Sequence, residues 1–202
     1  MKNNIVLTGG IASGKTFVSD YLASLNANVI DTDVVARALL MPNHHKYSEI
    51  ALKAVHDCFG DPIFDDGILN RQKLREIIFS NNDAKAQLEN IMHPLILKTV
   101  QEDLLVNHGL YNVISVPLLH EGSPYLILAD QVLVIEVNPD VQLQRVMARD
   151  RIDEQLAKSI IASQVSNQER RNLANTIIIN TNELHTRNIL KQLDKQYSLA
   201  PF

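Results

Sequence analysis

At 202 residues with 46% hydrophobic content, the chain is long enough to bury a core of its own and is expected to be a soluble globular protein. Lys and Arg number 19 against 23 Asp and Glu, a formal charge of −4, which excludes a strong global attraction to nucleic acid or to an anionic membrane, so any phosphate must be bound locally. The single cysteine, Cys58, excludes an internal disulfide and a thiolate metal cluster, suits a reducing compartment, and is expected to be a small buried residue.

The first apolar run, "NIVL" at 4–7, stops at Gly9 and is too short for the apolar region of a signal peptide. No stretch approaches the ~18 uninterrupted apolar residues a membrane helix needs, and a cytoplasmic protein is expected. Four more β-branched runs follow: "NVID" (28–31), "YNVISV" (111–116), "QVLVIEV" (131–137) and "TIIIN" (176–180). Continuous runs of this kind read as buried parallel strands. Between the first two, Phe17, Val18, Tyr21, Leu22 and Leu25 fall on one helical face, and Asn138-Pro139 reads as an N-cap followed by proline at the first helical position. Strands alternating with helices predict an α/β sheet covered on both faces, with ligands at the carboxyl ends of the strands.

Residues 34–110, between the second and third strands, are 77 in number where a crossover needs about a dozen, so a helical insertion is predicted there. Its segments are "VVARALL", "YSEIALKAVHDCF", "RQKLREIIF", and a pair, "AKAQLENIM" and "LILKTVQEDLLV", separated at His93-Pro94 because proline disfavours helix in the residue before it. The core is thus expected at 1–33, 111–137 and 176–202, the insertion at 34–110, and a further segment at 138–175. That last segment holds five of the nine arginines: Arg145, Arg149, Arg151, Arg170 and Arg171. Arg145 and Arg149, four apart, share a helix face.

"TGGIASGKT" at 8–16 follows a predicted strand and opens a predicted helix. Gly9-x-x-x-x-Gly14-Lys15-Thr16 fits a glycine-rich phosphate loop, in which backbone N–H groups and the helix N-terminus face the anion. Lys15 would reach the β- and γ-phosphates and Thr16 would ligate Mg²⁺. The second strand ends in "DTDVVAR", where Asp31 and Asp33, two apart, leave one side of an extended chain. If that strand lies close to the first, a carboxylate there sits beside the loop and can take or orient the proton of an attacking hydroxyl. Asp33 fits that role and Asp31 the role of orienting a neighbouring loop, while Arg37, one turn on, would bind an acidic acceptor group or pair with Asp33.

Other readings narrow the class. No "NKxD" is present, and the one "DxxG", at 57–60, ends a helix pattern, which disfavours a switch GTPase. The third strand lacks a terminal Asp, Glu121 being the nearest acid. His44 and His45 have no partner at metal-ligand spacing and read as a solvated loop, and His93 reads as a core or supporting hydrogen-bonding residue. An arginine-bearing segment beside a phosphate loop reads as a lid that closes on a transferring phosphoryl group. Three readings remain from the residues: a small-molecule kinase of one acceptor type, a kinase acting on a nucleoside monophosphate or a sugar, and a nucleotide sensor without transfer.

Taken together, "LTGGIASGKT", "VIDTDVVAR", "FGDPIFDDGILNRQKLREIIF", "HPLI", "VPLLHE", "QLQRVMARD", "ASQVSNQER" and "IIIN" resemble the dephospho-CoA kinase family over nearly the whole chain. The resemblance implies a P-loop NTPase-type three-layer α/β/α fold with a five-stranded parallel sheet, a helical substrate-binding insertion and a lid. It implies ATP and Mg²⁺ as cofactors, dephospho-CoA as the partner substrate, and phosphorylation of the ribose 3′-hydroxyl. By position it makes Asp33 the catalytic aspartate, with Lys15, Arg149 and Arg145 beside it. Gly9, Gly10, Ile11, Ala12, Ser13, Gly14, Lys15, Thr16 and Asn180 bind ATP, and Asp33, Arg37, Arg71, Arg75 and His93 fall in acceptor segments. The chain departs from the family at Ala12, usually glycine and tolerated if its backbone angle is ordinary, at His120, and at Asn175 and Asn182, where an aspartate and a glycine are usual.

Overall fold

A computed structural model describes residues 2–106 and 109–199, and the chain divides into two compact units, residues 1–31 with 106–202, and Thr32–Leu105. Residues 107–108 of the expected insertion and 200–202 of the expected core lie outside the described residues.

The first unit is built on five parallel strands, β1 (Asn4–Gly9), β2 (Asn28–Asp31), β5 (Asn112–Ser115), β6 (Gln131–Glu136) and β7 (Thr176–Ile179), one at each predicted run. Their order is β2-β5-β1-β6-β7, so β5 separates β2 from β1. The β-branched runs are buried on both faces, as a sheet covered by helices requires. Ile5, Leu7, Val113, Leu133, Ile135 and Ile178 pack with Val18 and Leu22 of α1 (Lys15–Ser24) and Leu190 and Leu193 of α9 (Glu183–Ser198). On the opposite face Val6, Ile114 and Val134 are fully buried, and α8 (Asn167–Leu173) lies against β6. Between β6 and α8 come α6 (Pro139–Asp150) and α7 (Glu154–Ala162). Asn138 caps α6 from its side chain, with Pro139 at the first position.

Tyr111 and Tyr197 pin α9 beneath the sheet: their rings meet edge to face at 5.5 Å, and the Tyr111 hydroxyl donates to Asp194 at 3.0 Å. Burial pushes the Tyr197 phenol up to about 12, and burial with the nearby Asp194 charge pushes Tyr111 up as well. Both phenols therefore hold their protons more tightly folded than unfolded. Their contribution is complete below the unfolded value near ~10 and is lost as pH rises through it toward the folded values. Urea midpoints are expected to stay level from pH 8 to ~10 and fall steeply above it, with a shallower fall for Tyr197→Phe.

The second unit holds α2 (Thr32–Leu39), α3 (Ser48–Phe59), a hairpin of β3 (Phe64–Asp65) and β4 (Ile68–Leu69), α4 (Arg71–Ser80) and α5 (Asn82–Leu105), with α2, α3 and α4 all packed on α5. Four of the sequence expectations change here. The pair of helices expected around His93-Pro94 is one continuous 24-residue helix, α5. An interior proline costs roughly 3 kcal/mol, but Ala84, Met92, Ile96 and Val100 form a buried stripe on both sides of it, and a single large apolar side chain contributes about 1.5–3 kcal/mol on burial. His93 is exposed on α5 and is no core residue. Cys58 is exposed too, because the buried stripe of α3, Ser48, Ala51 and Val55, passes to Phe59 as the helix ends. Lastly, Asp33 is not on an extended chain. The strand stops at Asp31, and Asp33 lies exposed in the first turn of α2, where a carboxylate complements the helix dipole.

Candidate active site

The carboxyl ends of the five strands gather the loop 9–16, Asp31, Ser115, Glu136 and Asn180. A turn closed by Ser13 N–H to the Gly10 carbonyl at 3.1 Å leads into α1, whose N-cap is Gly14 and which has no side-chain cap. By contrast, Asn70, Asn138, Asp153, Ser166 and Asn182 each cap a helix through a side chain. The first amides of α1 thus have no side-chain acceptor, which is the arrangement that suits an anion. Gly14 has φ 97°, and a Cβ on it would stand 2.2 Å from Asn180 Nδ2, so no side chain fits. Asn180 is buried, donates to the Ser13 carbonyl at 2.8 Å and accepts from Thr186 Oγ1 at 3.0 Å. It braces the loop from β7.

Ala12 has φ 57°, so the condition for harmless replacement of glycine is not met: the residue sits in the left-handed region. Ala12→Gly is expected to raise stability by about 1 kcal/mol, a rise of about 2–4 °C in Tm for a chain of this size, measured by calorimetry without ligand.

Lys15 reaches toward β5 and β2. Its ammonium donates to Ser115 Oγ at 2.6 Å and lies 3.7 Å from Asp31 Oδ2, and Ser115 in turn donates to Asp31 at 3.0 Å. The strand end that lacks an aspartate thus carries a hydroxyl that links the lysine to an acid on the next strand. Asp31, although its strand is not adjacent to β1, reaches the loop's lysine through that link. Thr16 is exposed at the start of α1.

The segment 138–175 meets the loop at four points. Gln142 Nε2 donates to the Ile11 carbonyl at 2.9 Å, and the Ile11 N–H donates to Gln164 Oε1 at 2.8 Å. Arg145 donates to the Ala12 carbonyl at 3.3 Å. Arg170, 5% exposed, lies so close to Gly10 that a Cβ there would be 3.0 Å from Nη2. It donates to the Val165 carbonyl and to Asn167 Oδ1 at 2.6 Å, and burial lowers its pKa. Arg171 instead forks onto Glu136, with Nε to Oε1 at 2.8 Å and Nη2 to Oε2 at 2.7 Å; the carboxylate, 4% exposed, raises the arginine's pKa. Arg149 pairs with its neighbour Asp150 at 2.8 and 2.9 Å, and that carboxylate raises its pKa.

Within the second unit, Arg37, Arg71 and Arg75 are exposed, and Arg71 donates to the Arg37 carbonyl at 2.7 Å. The sequence reading missed Ser115, Gln142, Gln164 and Glu136 as partners around the loop. A polar residue ending a buried strand was the available signal for Ser115, whereas nothing in the spacing marked the glutamines. Asn175 and Asn182 take structural places, the first accepting from Val132 N–H at 2.7 Å and the second capping α9 through His185 N–H at 2.9 Å. His120 Nδ1 is 2.7 Å from the Glu121 carbonyl oxygen in an exposed turn. Among the described residues no group of three or more His, Cys, Asp or Glu is placed to hold a metal, and no helix is long and apolar enough to cross a membrane.

A family model described as dephospho-CoA kinase matches residues 4–186. The chain is similar to the dephospho-CoA kinase of Yersinia pseudotuberculosis, 42% identical over 180 residues, covering 89% of this chain and 84% of that protein. Its structure is similar to that of dephospho-CoA kinase from Campylobacter jejuni, with TM-score 0.64 and 27% identity over 98% of this chain and 99% of that one. A shikimate kinase from Bacteroides thetaiotaomicron shares the fold at TM-score 0.54 and 16% identity, over 98% and 99% of the two chains. The α/β architecture is that of the P-loop kinases, and the chain belongs to the dephospho-CoA kinase family.

Proposed function

We propose that the protein transfers the γ-phosphoryl group of ATP to the ribose 3′-hydroxyl of dephospho-CoA, giving coenzyme A and ADP. The observation that carries this reading is the loop 9–16 ahead of an uncapped α1, in a chain whose family match runs through 4–186. In this reading the loop amides and Lys15 hold the β- and γ-phosphates, Asn180 keeps the loop in place, and Asp33 orients or deprotonates the attacking hydroxyl. Arg145 and Arg149, on α6 of the lid region 138–175, stabilise charge on the phosphoryl group in flight, Arg149 after exchanging its Asp150 partner for the anion. Arg37, Arg71, Arg75 and His93 serve the acceptor.

Mg²⁺ would bind through Thr16 and the nucleotide's own phosphates. A hard cation that keeps most of its waters needs only one or two protein oxygens, and the exposed Thr16 hydroxyl at the mouth of the loop is a donor of that kind. When bound, the ion neutralises charge on the β- and γ-phosphates.

The decisive assay is ADP release that depends on dephospho-CoA, with the product shown to carry a 3′-phosphate. Equal or faster turnover with a nucleoside monophosphate or a sugar would overturn the acceptor assignment. ATP binding with no transfer to any of these would leave a nucleotide sensor.

A further inference from the structure

The Ile11–Ala12 peptide is held from outside the loop. Gln142, 5% exposed on α6, donates to the Ile11 carbonyl at 2.9 Å. In a trans peptide the carbonyl and the next N–H point in opposite directions, so fixing the Ile11 carbonyl toward Gln142 turns the Ala12 N–H the other way. The preceding peptide plane is held separately, by the Ile11 N–H bond to Gln164 Oε1 at 2.8 Å. Ala12 itself opposes this arrangement. At φ 57° it occupies the left-handed region, and a half-turn of the Ile11–Ala12 plane alone carries that φ to about −123°, a negative value that alanine adopts readily. The plane thus has two settings, and alanine favours the one in which the Ala12 N–H is reversed.

We propose that Gln142 is a positioning residue for nucleotide binding, holding the Ile11–Ala12 peptide in the strained setting that keeps the Ala12 N–H turned into the phosphate loop. The inference rests on the reading of 9–16 as the ATP-binding loop. It extends that reading by giving a side chain of the 138–175 segment control over one of the loop's anion-binding amides. Because glycine has no preference between the two signs of φ, the hold matters most with alanine at position 12.

The test measures ADP affinity by calorimetry for Gln142→Met in two backgrounds, the native chain and Ala12→Gly, each compared with its own parent. Methionine keeps the length and the buried apolar stem and removes the donor. In the native background the Kd for ADP is expected to rise about tenfold, and in the Ala12→Gly background by no more than about threefold. The amide signal of residue 12 in ¹⁵N-resolved NMR is expected to shift on ADP addition in the native chain and to lose most of that shift in Gln142→Met. The KM for ATP should rise while the KM for dephospho-CoA stays put, a split that a general loosening of the fold would not give. Unchanged ADP affinity in Gln142→Met overturns the proposal, as does an equal loss in both backgrounds. A native chain that binds no ADP sinks the loop reading as well, so the two failures are distinguishable.

Discussion

Replacing Asp33 by asparagine is expected to lower kcat by about 10²–10⁴-fold with little change in the KM for ATP. Asparagine has the shape of aspartate and the same preference for the start of a helix, and Asp33 is exposed in the first turn of α2, so the fold should survive the change. The change removes the negative charge that can accept a proton and, with it, a helix-dipole contribution of about 0.3–1 kcal/mol. The measurement is steady-state turnover with dephospho-CoA, beside ADP affinity and thermal melting of the same preparations. A variant that melts like the native protein, binds ADP as tightly and turns over at the normal rate removes Asp33 from the chemistry.

Lys15→Met is expected to lower turnover by about 10²–10³-fold for a different reason: it removes the positive charge that the proposed mechanism sets against the β- and γ-phosphates. The change also breaks the link between the lysine, Ser115 and Asp31, leaving the Asp31 carboxylate with the Ser115 hydroxyl but without the ammonium. Two effects are thereby mixed, and Asp31→Asn separates them, since it keeps the lysine and removes the carboxylate charge beside it. The stabilisation by saturating ATP, read as a rise in Tm, is expected to vanish in Lys15→Met and to persist in Asp31→Asn. Loss of ATP stabilisation in Asp31→Asn with full retention in Lys15→Met would invert the assignment.

The strands were legible because a run such as "QVLVIEV" cannot alternate when both faces of a parallel sheet are buried. The phosphate loop was legible because glycine, lysine and threonine at fixed spacing answer to a local chemical demand. Pro94 was misread for the opposite reason: local propensity said break, and only the packing of α5 against three other helices overrides it. The β3–β4 hairpin was missed although Asp66-Gly67, both with positive φ, is a strong local turn signal. The neighbours of the loop, Ser115, Gln142 and Gln164, lie 100 or more residues from it along the chain, so their proximity depends on strand order and helix placement. The angle of Ala12 belongs to the same class, since alanine has no sequence tendency toward positive φ and tertiary bonds impose it.

Cys58 is the one sulfhydryl in the molecule and it faces solvent near the end of α3. A maleimide dye will therefore attach at a single defined place without any background substitution. One added cysteine on an exposed position of the first unit, such as Leu184, makes a two-probe ruler with one probe in each compact unit. Distances read from that pair with ATP, with dephospho-CoA and with both present would test whether the spacing of the two probes depends on either ligand. The same thiol makes a reductant advisable in storage, because oxidation between two molecules yields a covalent dimer that non-reducing electrophoresis will reveal.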